Sequence, residues 1–432
     1  MSKSREATNP IRELLRFPLM QAIFGRRARR FAHGMEIPSG PLAFKSRHAP
    51  IPLSELEQAV LVAAATGVTG WNFGITHTPS RPAEYAHYTA RFGGRTAPTA
   101  AGIGTPALFY TDDRGIYLVN LRDVQPTRLR EFENPRDADR IIEVCREHTV
   151  TLRNERLDLP REPPHVMEHN LWVANAPGST LFMPVADMSE ELMAILAIFA
   201  GSGYMLVDDY AKRPAGNLEP FIRSGLLSAT KPLPLSFVEQ AILSFCSMEL
   251  AFMSHNIVLT LQGMGLGGWF YTGINPSSVL GAFAEEGCNG LGFRFVKDER
   301  WTLPNPVGLD GHYEGLCPPY HKDMLEAVQV FAQRKFGAGG AYDSKTPGPF
   351  LDSHKVKGSV TPYSAEFLDC IGETASYLYG TYGKFPPTIP TILLAGYVQA
   401  QHIDTEFYDL HFQPGAYLQT HADHMRRWHA GA

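Results

Sequence analysis

Nothing in the chain supplies a disulfide framework or a cysteine zinc site. Its five cysteines (Cys145, Cys246, Cys288, Cys317 and Cys370) are scattered, odd in number and contain no C-x-x-C pair. A reducing, cytoplasmic setting is the expectation. An excess of one charge is also missing: 39 basic and 44 acidic side chains give a net charge of -5. That balance offers no whole-chain footprint for nucleic acid or anionic lipid. Long apolar runs are lacking too. The most apolar stretch, residues 192–207, is interrupted at Gly201, Ser202 and Gly203, short of the roughly 18 residues a membrane span needs. The opening MSKSREATNPIRELLRF is charged throughout, without the apolar core of a secretion signal. No membrane association is therefore expected. The G-x-S-x-G and Walker A patterns are absent, which sets aside acyl transfer from a serine elbow and P-loop nucleotide hydrolysis. No fixed-period repeat points to a solenoid or propeller.

What the chain does contain is ordinary globular material. Hydrophobic residues make up 44% and charged residues 19% of 432, enough for two or three units at roughly 150 residues each. Residues 53–66 carry Leu53, Leu56, Val60, Leu61 and Ala64 at helical spacing, and Ser54 with Glu57 forms a capping-box pattern. The segment PALFYTDDRGIYLVNL reads as a hairpin turning at residues 112–115. LFMPV at residues 181–185 is a strand whose Pro184 favours a sheet edge. Residues 237–262 lack Gly and Pro, open with a second capping-box pattern at Ser236 and Glu239, and predict a long core or interface helix. A glycine-dense turn follows at Gly263, Gly265, Gly267 and Gly268, then a strand candidate at 290–296. Another helix is expected near residues 363–380, and an apolar TILLAGYVQA segment lies beyond it.

Two features suggest a bound anion and a flat ring. Four of the residues 26–30 are arginine, and guanidinium groups recognise phosphate through paired, charge-assisted hydrogen bonds. A solvated basic face or an acidic partner's dock explains the same cluster. The glycine turn exposes backbone N–H groups to which a heteroaromatic edge could bond, although such a turn also serves as a plain helix cap.

Taken in order, the arginine cluster, the amphipathic helix, the APTAAG loop, the long helix and GMGLGGWFYTG resemble the nitroreductase-like FMN-dependent superfamily. The likeness covers residues 20–120 and 236–300. GVTGWNFG, GRTAPTAAG and GIYLVN look most like its azoline dehydrogenase branch. The resemblance implies an α+β fold with a mixed central sheet flanked by helices, built on residues 1–300 with an insertion at about 122–235. Residues 301–432 form a C-terminal extension of unassigned role. It further implies a homodimer, bound FMN, hydride transfer to or from a small or heterocyclic substrate, and NAD(P)H as a possible electron donor. By that likeness Arg26, Arg27 and Arg30 hold the FMN phosphate and ribityl chain. Ala28 stands where the family motif has serine, a loss of one hydrogen bond worth roughly 0.5 to 1.5 kcal/mol. Pro98, Thr99 and Gly102 flank the flavin, with the stretch ending in Asn72 as a second candidate for that loop. Gly265, Leu266, Gly267 and Gly268 line the ring, and Trp269 and Tyr271 wall the substrate side. No residue is assigned as a proton donor. A flavin store or sensor without turnover is the alternative, since fold alone does not exclude it.

Other motifs receive no role. Residues 165–169, HVMEH, fit the H-x-x-E-H pattern of inverted zinc proteases, but they follow two prolines, run into a strand-like segment and have no assignable third ligand. The tail histidines His402, His411, His421, His424 and His429 could hold a metal if several converged. They are read instead as surface or hydrogen-bonded structural histidines, and no metal site is expected. Asp208 and Asp209 are read as a polar turn.

Overall fold

The computed structural model describes residues 9–75, 90–122 and 124–429; the first eight residues of the charged N-terminus lie outside that range. Helix α1 (Glu55–Thr66) starts with the capping box the sequence shows. The Ser54 side chain accepts from the Glu57 N–H at 3.3 Å, and the Glu57 carboxylate accepts from the Ser54 N–H at 2.6 Å. A short ribbon follows, β1 (Val68–Trp71) paired antiparallel with β2 (Gly93–Arg95). The expected hairpin is β3 (Ala107–Thr111) and β4 (Ile116–Val119). Asp112 Oδ1 pins its turn by accepting from the N–H groups of Arg114 and Gly115. Helix α2 (Asp137–Glu147) then leads into β5 (Thr149–Arg153).

Strand β6 (Thr180–Asp187) runs directly into α3 (Met188–Gly201), and α4 (Leu235–Met264) turns into β7 (Gly267–Tyr271). The C-terminal third supplies α5 (Met324–Phe336), α6 (Ala365–Tyr382), β8 (Ile392–Leu394), β9 (Tyr397–Gln401) and α7 (His424–Trp428). The central sheet has the order β7-β9-β6-β3-β4-β5, with β8 also paired to β6. The protein is α+β. Every ladder of this central sheet is antiparallel, unlike the mixed sheet the resemblance implied. Among the described ladders, a parallel pair occurs in a side sheet, between Tyr204–Asp208 and Ser228–Pro234.

Alternation on the strands explains why both sheet faces are covered. Leu108, Tyr110 and Phe182 join a cluster with Leu61, Leu192, Ile242, Phe331 and Phe367. Phe109, Leu181, Met183 and Val185 join Trp269, Tyr271 and Tyr397 on the other face. Strand β6 is thus central, not at an edge, and Pro184 is tolerated there for a local reason. Strand β8 pairs with residues 185–187 and β9 with residues 180–182, so the ladder on that side is interrupted where Pro184 has no N–H to give. Because β5 and β6 come from residues 122–235 and β8 and β9 from residues 301–432, one sheet runs across the domain boundaries drawn from sequence.

Helix α4 has 30 residues, about 45 Å at 1.5 Å per residue. It buries Val238, Ile242, Cys246, Leu250, Met253, Ile257 and Leu261 in the core, and exposes Phe237, Met248 and Phe252 on another side. Its second capping box does not form. Asp209 accepts from the Ser236 N–H at 3.0 Å and from its hydroxyl at 2.5 Å, while Glu239 accepts from Thr388. Asp208 accepts from the hydroxyls of Tyr377 and Tyr382, so this acidic pair serves structure. Residues 165–169 form no strand. His165 shares a 2.9 Å hydrogen bond with Ser278, and Glu168–Asn170 is a single 3-10 turn. The strand expected over 290–296 shortens to Arg294–Val296.

Candidate functional site

A cavity of about 360 Å³ opens beside the middle of α4, between the β1/β2 ribbon and the loop leading to β3. Its walls include Trp71, Asn72, Gly93, Gly94, Pro98 and Thr99, with Met253 from α4. Both loops considered from sequence, the stretch ending in Asn72 and the one holding Pro98 and Thr99, meet here. Gly102 stands just behind: its carbonyl accepts from the Asn72 side chain and the Ala90 N–H, both at 3.4 Å.

Three guanidinium groups, those of Arg91, Arg95 and Arg122, line the same cavity. Arg91 makes a two-pronged pair with Glu190 at 2.5 and 3.0 Å. Arg122 binds Glu190 and also reaches Asp187 at 3.3 Å, and its guanidinium lies 4.5 Å from the Tyr313 ring. Arg95 donates to the Thr66 hydroxyl at 2.8 Å. Burial alone would raise the Glu190 pKa, but Arg91 and Arg122 hold it well below the usual carboxylate range. Arg334, which lines a neighbouring cavity, also stands 3.4 Å from Glu190. Three guanidinium groups on one cavity wall favour an anionic ligand there.

A second pair of carboxyls behaves in the opposite way. Glu249 lines the cavity; its Oε1 accepts from the Thr99 hydroxyl and from the Ala100 N–H at 2.9 Å. Burial pushes its pKa up. Glu191 is fully buried, and burial together with the charge of Glu249 raises it well above the usual value. Neither Glu191 oxygen nor Glu249 Oε2 has a hydrogen-bond partner among the described residues, so both groups sit most easily as neutral acids. The sequence offered no signal for Glu249 beyond its place in a long apolar helix.

The other expected flavin residues lie elsewhere within the chain. Arg27 donates from its N–H to Gln262 Oε1 at 2.9 Å, whereas Thr99 bonds Glu249. Thirteen residues of α4 separate those two anchors, about 20 Å. The arginine segment does run beside the glycine turn: Arg29 bridges Gly268, and the Arg30 guanidinium sits 5.3 Å from the Trp269 ring. The chain's own C-terminal segment covers both. Arg27 donates to the Gly415 carbonyl at 3.2 Å and Arg29 to that of Ala416, while Arg26 and Arg30 are exposed. Gly265 has φ +86°, and a Cβ there would meet the Thr420 carbonyl oxygen at 2.0 Å. The missing side chains at the turn admit residues 420–421. Leu266 and Gly267 are buried; a Cβ on Gly267 would meet Ile403 at 2.2 Å, and one on Gly268 the Gln399 carbonyl at 2.3 Å. Trp269 and Tyr271 are buried and stacked on each other within the sheet, at 4.8 Å, and do not line the cavity. Within one chain the residues expected to hold the flavin thus lie in two places, and Pro98 and Thr99 line the cavity beside α4.

Among the tail histidines, His402, His424 and His429 meet at Glu57, each within hydrogen-bond distance of its carboxylate. His421 accepts from the Leu418 N–H at 3.1 Å and stays outside that group, as does His411.

No protein-family model matches the chain, and no curated protein matches it. Among solved structures, a protein of Ralstonia eutropha JMP134 described as a "putative nitroreductase" aligns over 64% of this chain and 75% of its own, with 14% identity and a TM-score of 0.28. At that TM-score the likeness carries no structural argument, and the site is read from its own geometry.

Proposed function

We propose that the protein is an FMN-dependent oxidoreductase of nitroreductase-like kind and that the cavity beside α4 is its flavin site. The observation that carries this reading is the pairing, in one cavity of about 360 Å³, of three guanidinium groups with an aromatic and apolar wall from Trp71, Pro98 and Met253. An anionic ligand with a flat ring matches both halves. Gly93 and Gly94 let backbone approach that ring without side chains in the way.

The residues present fit FMN on three counts: guanidinium groups in the cavity wall for the phosphate, an indole for the ring, and a Glu249 oxygen without a partner among the described residues. Arg95, with Arg91 and Arg122, would hold the phosphate, and Trp71 would flank the ring. When bound, FMN supplies hydride exchange with the substrate. The chain's own contribution is to position, exclude water and manage a proton. Thr99 and the Ala100 N–H fix Glu249 Oε1, which leaves Oε2 to carry the proton that burial retains. The exposed apolar side of α4, with Phe237, Met248 and Phe252, suits a second copy of the chain, and we infer a homodimer working in a reducing, cytoplasmic setting, where five thiols stay free.

Anaerobic mixing of the FMN-loaded protein with NADH, NADPH or a peptide carrying an azoline ring tests turnover. Bleaching of the yellow colour by a nicotinamide, or by the peptide alone as an azoline dehydrogenase would show, supports an oxidoreductase. Colour that persists with all three reductants contradicts turnover and favours storage of the flavin.

A further inference from the structure

Four side chains brought together from opposite ends of the chain form a group that the flavin reading does not use. Glu57 lies in the first turn of α1, His402 directly follows β9, His424 opens α7 and His429 closes it. All three histidine Nε2 atoms point at one carboxylate oxygen, Glu57 Oε1, at 3.2, 2.7 and 3.0 Å respectively. The four donor atoms lie within 4.8 Å of one another. Glu57, His402 and His424 are buried and the His429 side chain is 15% exposed.

The outer hydrogen bonds decide what this group can be. His402 Nδ1 sits 2.8 Å from the Ile51 carbonyl oxygen, and His424 Nδ1 sits 2.9 Å from that of Met264. A carbonyl only accepts, so Nδ1 carries the proton in both rings. A neutral ring then turns an Nε2 lone pair toward a carboxylate lone pair. Protonating the rings would remove that clash only by burying several imidazolium charges against one another, with ring centroids 4.9 to 5.6 Å apart. A cation between the four atoms resolves both problems. Backbone carbonyls on the far nitrogen are also the usual outer partners of metal-bound histidine.

We propose that Glu57, His402, His424 and His429 form a divalent metal site, zinc by donor set, that staples the C-terminal segment to the N-terminal helix. Four nitrogen and oxygen donors match tetrahedral zinc. Ligands about 2.0 to 2.1 Å from a centre stand about 3.3 to 3.4 Å apart, so the three spacings to Glu57 Oε1, 2.7 to 3.2 Å, need to open by about 0.1 to 0.7 Å. Glu57 Oε2 is already engaged by the Ser54 N–H, which leaves Oε1 as a single ligand atom. The four residues line none of the cavity described above, and a closed four-ligand shell is the structural kind of zinc site. Its effect would be to tie residues 345 positions apart and to hold residues 415–424 over the glycine turn. The proposal stands independently of the flavin site.

The test uses the full-length, tag-free chain, stripped with dipicolinate and titrated with Co(II) and Zn(II). Intense visible bands of four-coordinate cobalt, bleached by one equivalent of Zn(II), are expected, together with a higher melting temperature on zinc addition. His429→Ala should weaken cobalt binding by more than the roughly 10–100-fold that outer-shell losses cost, and His429→Cys should restore tight binding with a thiolate-to-cobalt charge-transfer band. A stripped wild-type chain that gives only the weak spectrum of six-coordinate cobalt and no thermal shift would overturn the proposal. So would zinc affinity left unchanged in both His402→Ala and His429→Ala. The wild-type titration decides the matter even where a variant fails to fold.

Discussion

Arg95→Ala is expected to weaken FMN binding about 10- to 150-fold. Arg95 lines the cavity from strand β2 and is tied to the Thr66 hydroxyl at the end of α1, so its guanidinium is held in place before a ligand arrives. A charge-assisted hydrogen bond contributes about 1.5 to 3 kcal/mol, which converts to that range of affinity. The matched control is the double variant Arg26→Ala, Arg30→Ala. Both side chains are exposed and neither lines the cavity, so affinity should change by less than about twofold, the effect of distant charge alone. Fluorescence titration of the two variants separates the cavity from the arginine segment. The reverse pattern would move the flavin to the segment and away from the cavity.

The second large effect concerns stability. Glu190 holds Arg91 through two bonds and Arg122 through another, all within the protein interior. Glu190→Gln leaves two guanidinium groups buried without that charge, and breaking such a network costs about 3 to 5 kcal/mol. The sign with pH follows from the depressed Glu190 pKa. A carboxyl held below its unfolded value, 4.5, stabilises the fold at neutral pH and loses that contribution as pH falls below about 4.5. The stability gap between wild type and Glu190→Gln, measured by urea unfolding, should be full at pH 7 and shrink toward pH 3. A gap independent of pH would show that the charge of Glu190 is not what the variant removes.

The parts of this architecture legible in the sequence are those built from neighbours. The Ser54 and Glu57 box, the hairpin at Asp112 and the long α4 each depend on residues within a few turns of one another. Pro184 misled because its neighbour strand is broken at just that level, a fact set by residues 392–401 about 200 positions away. The Ser236 and Glu239 pattern misled because Asp209 reaches the helix start first. For the site, Pro98, Thr99 and Asn72 were readable as loop residues near a ligand, but Arg91 with Arg95, Arg122 and Glu249 come from three separate segments that only the fold assembles. The glycine turn carried a real signal, close backbone approach, whose visitor is the chain's own tail. Glu57 hid a second role, because one of its oxygens fully explains the capping pattern while the other meets histidines 345 to 372 positions away.

The cavity's ligand is settled most directly by the visible spectrum of the purified chain after saturation with FMN and gel filtration, with mass identification of what heat releases. Co-elution of flavin with the protein, and FMN alone in the released fraction, is the predicted result. A protein fraction that emerges colourless after exposure to excess FMN would contradict the assignment.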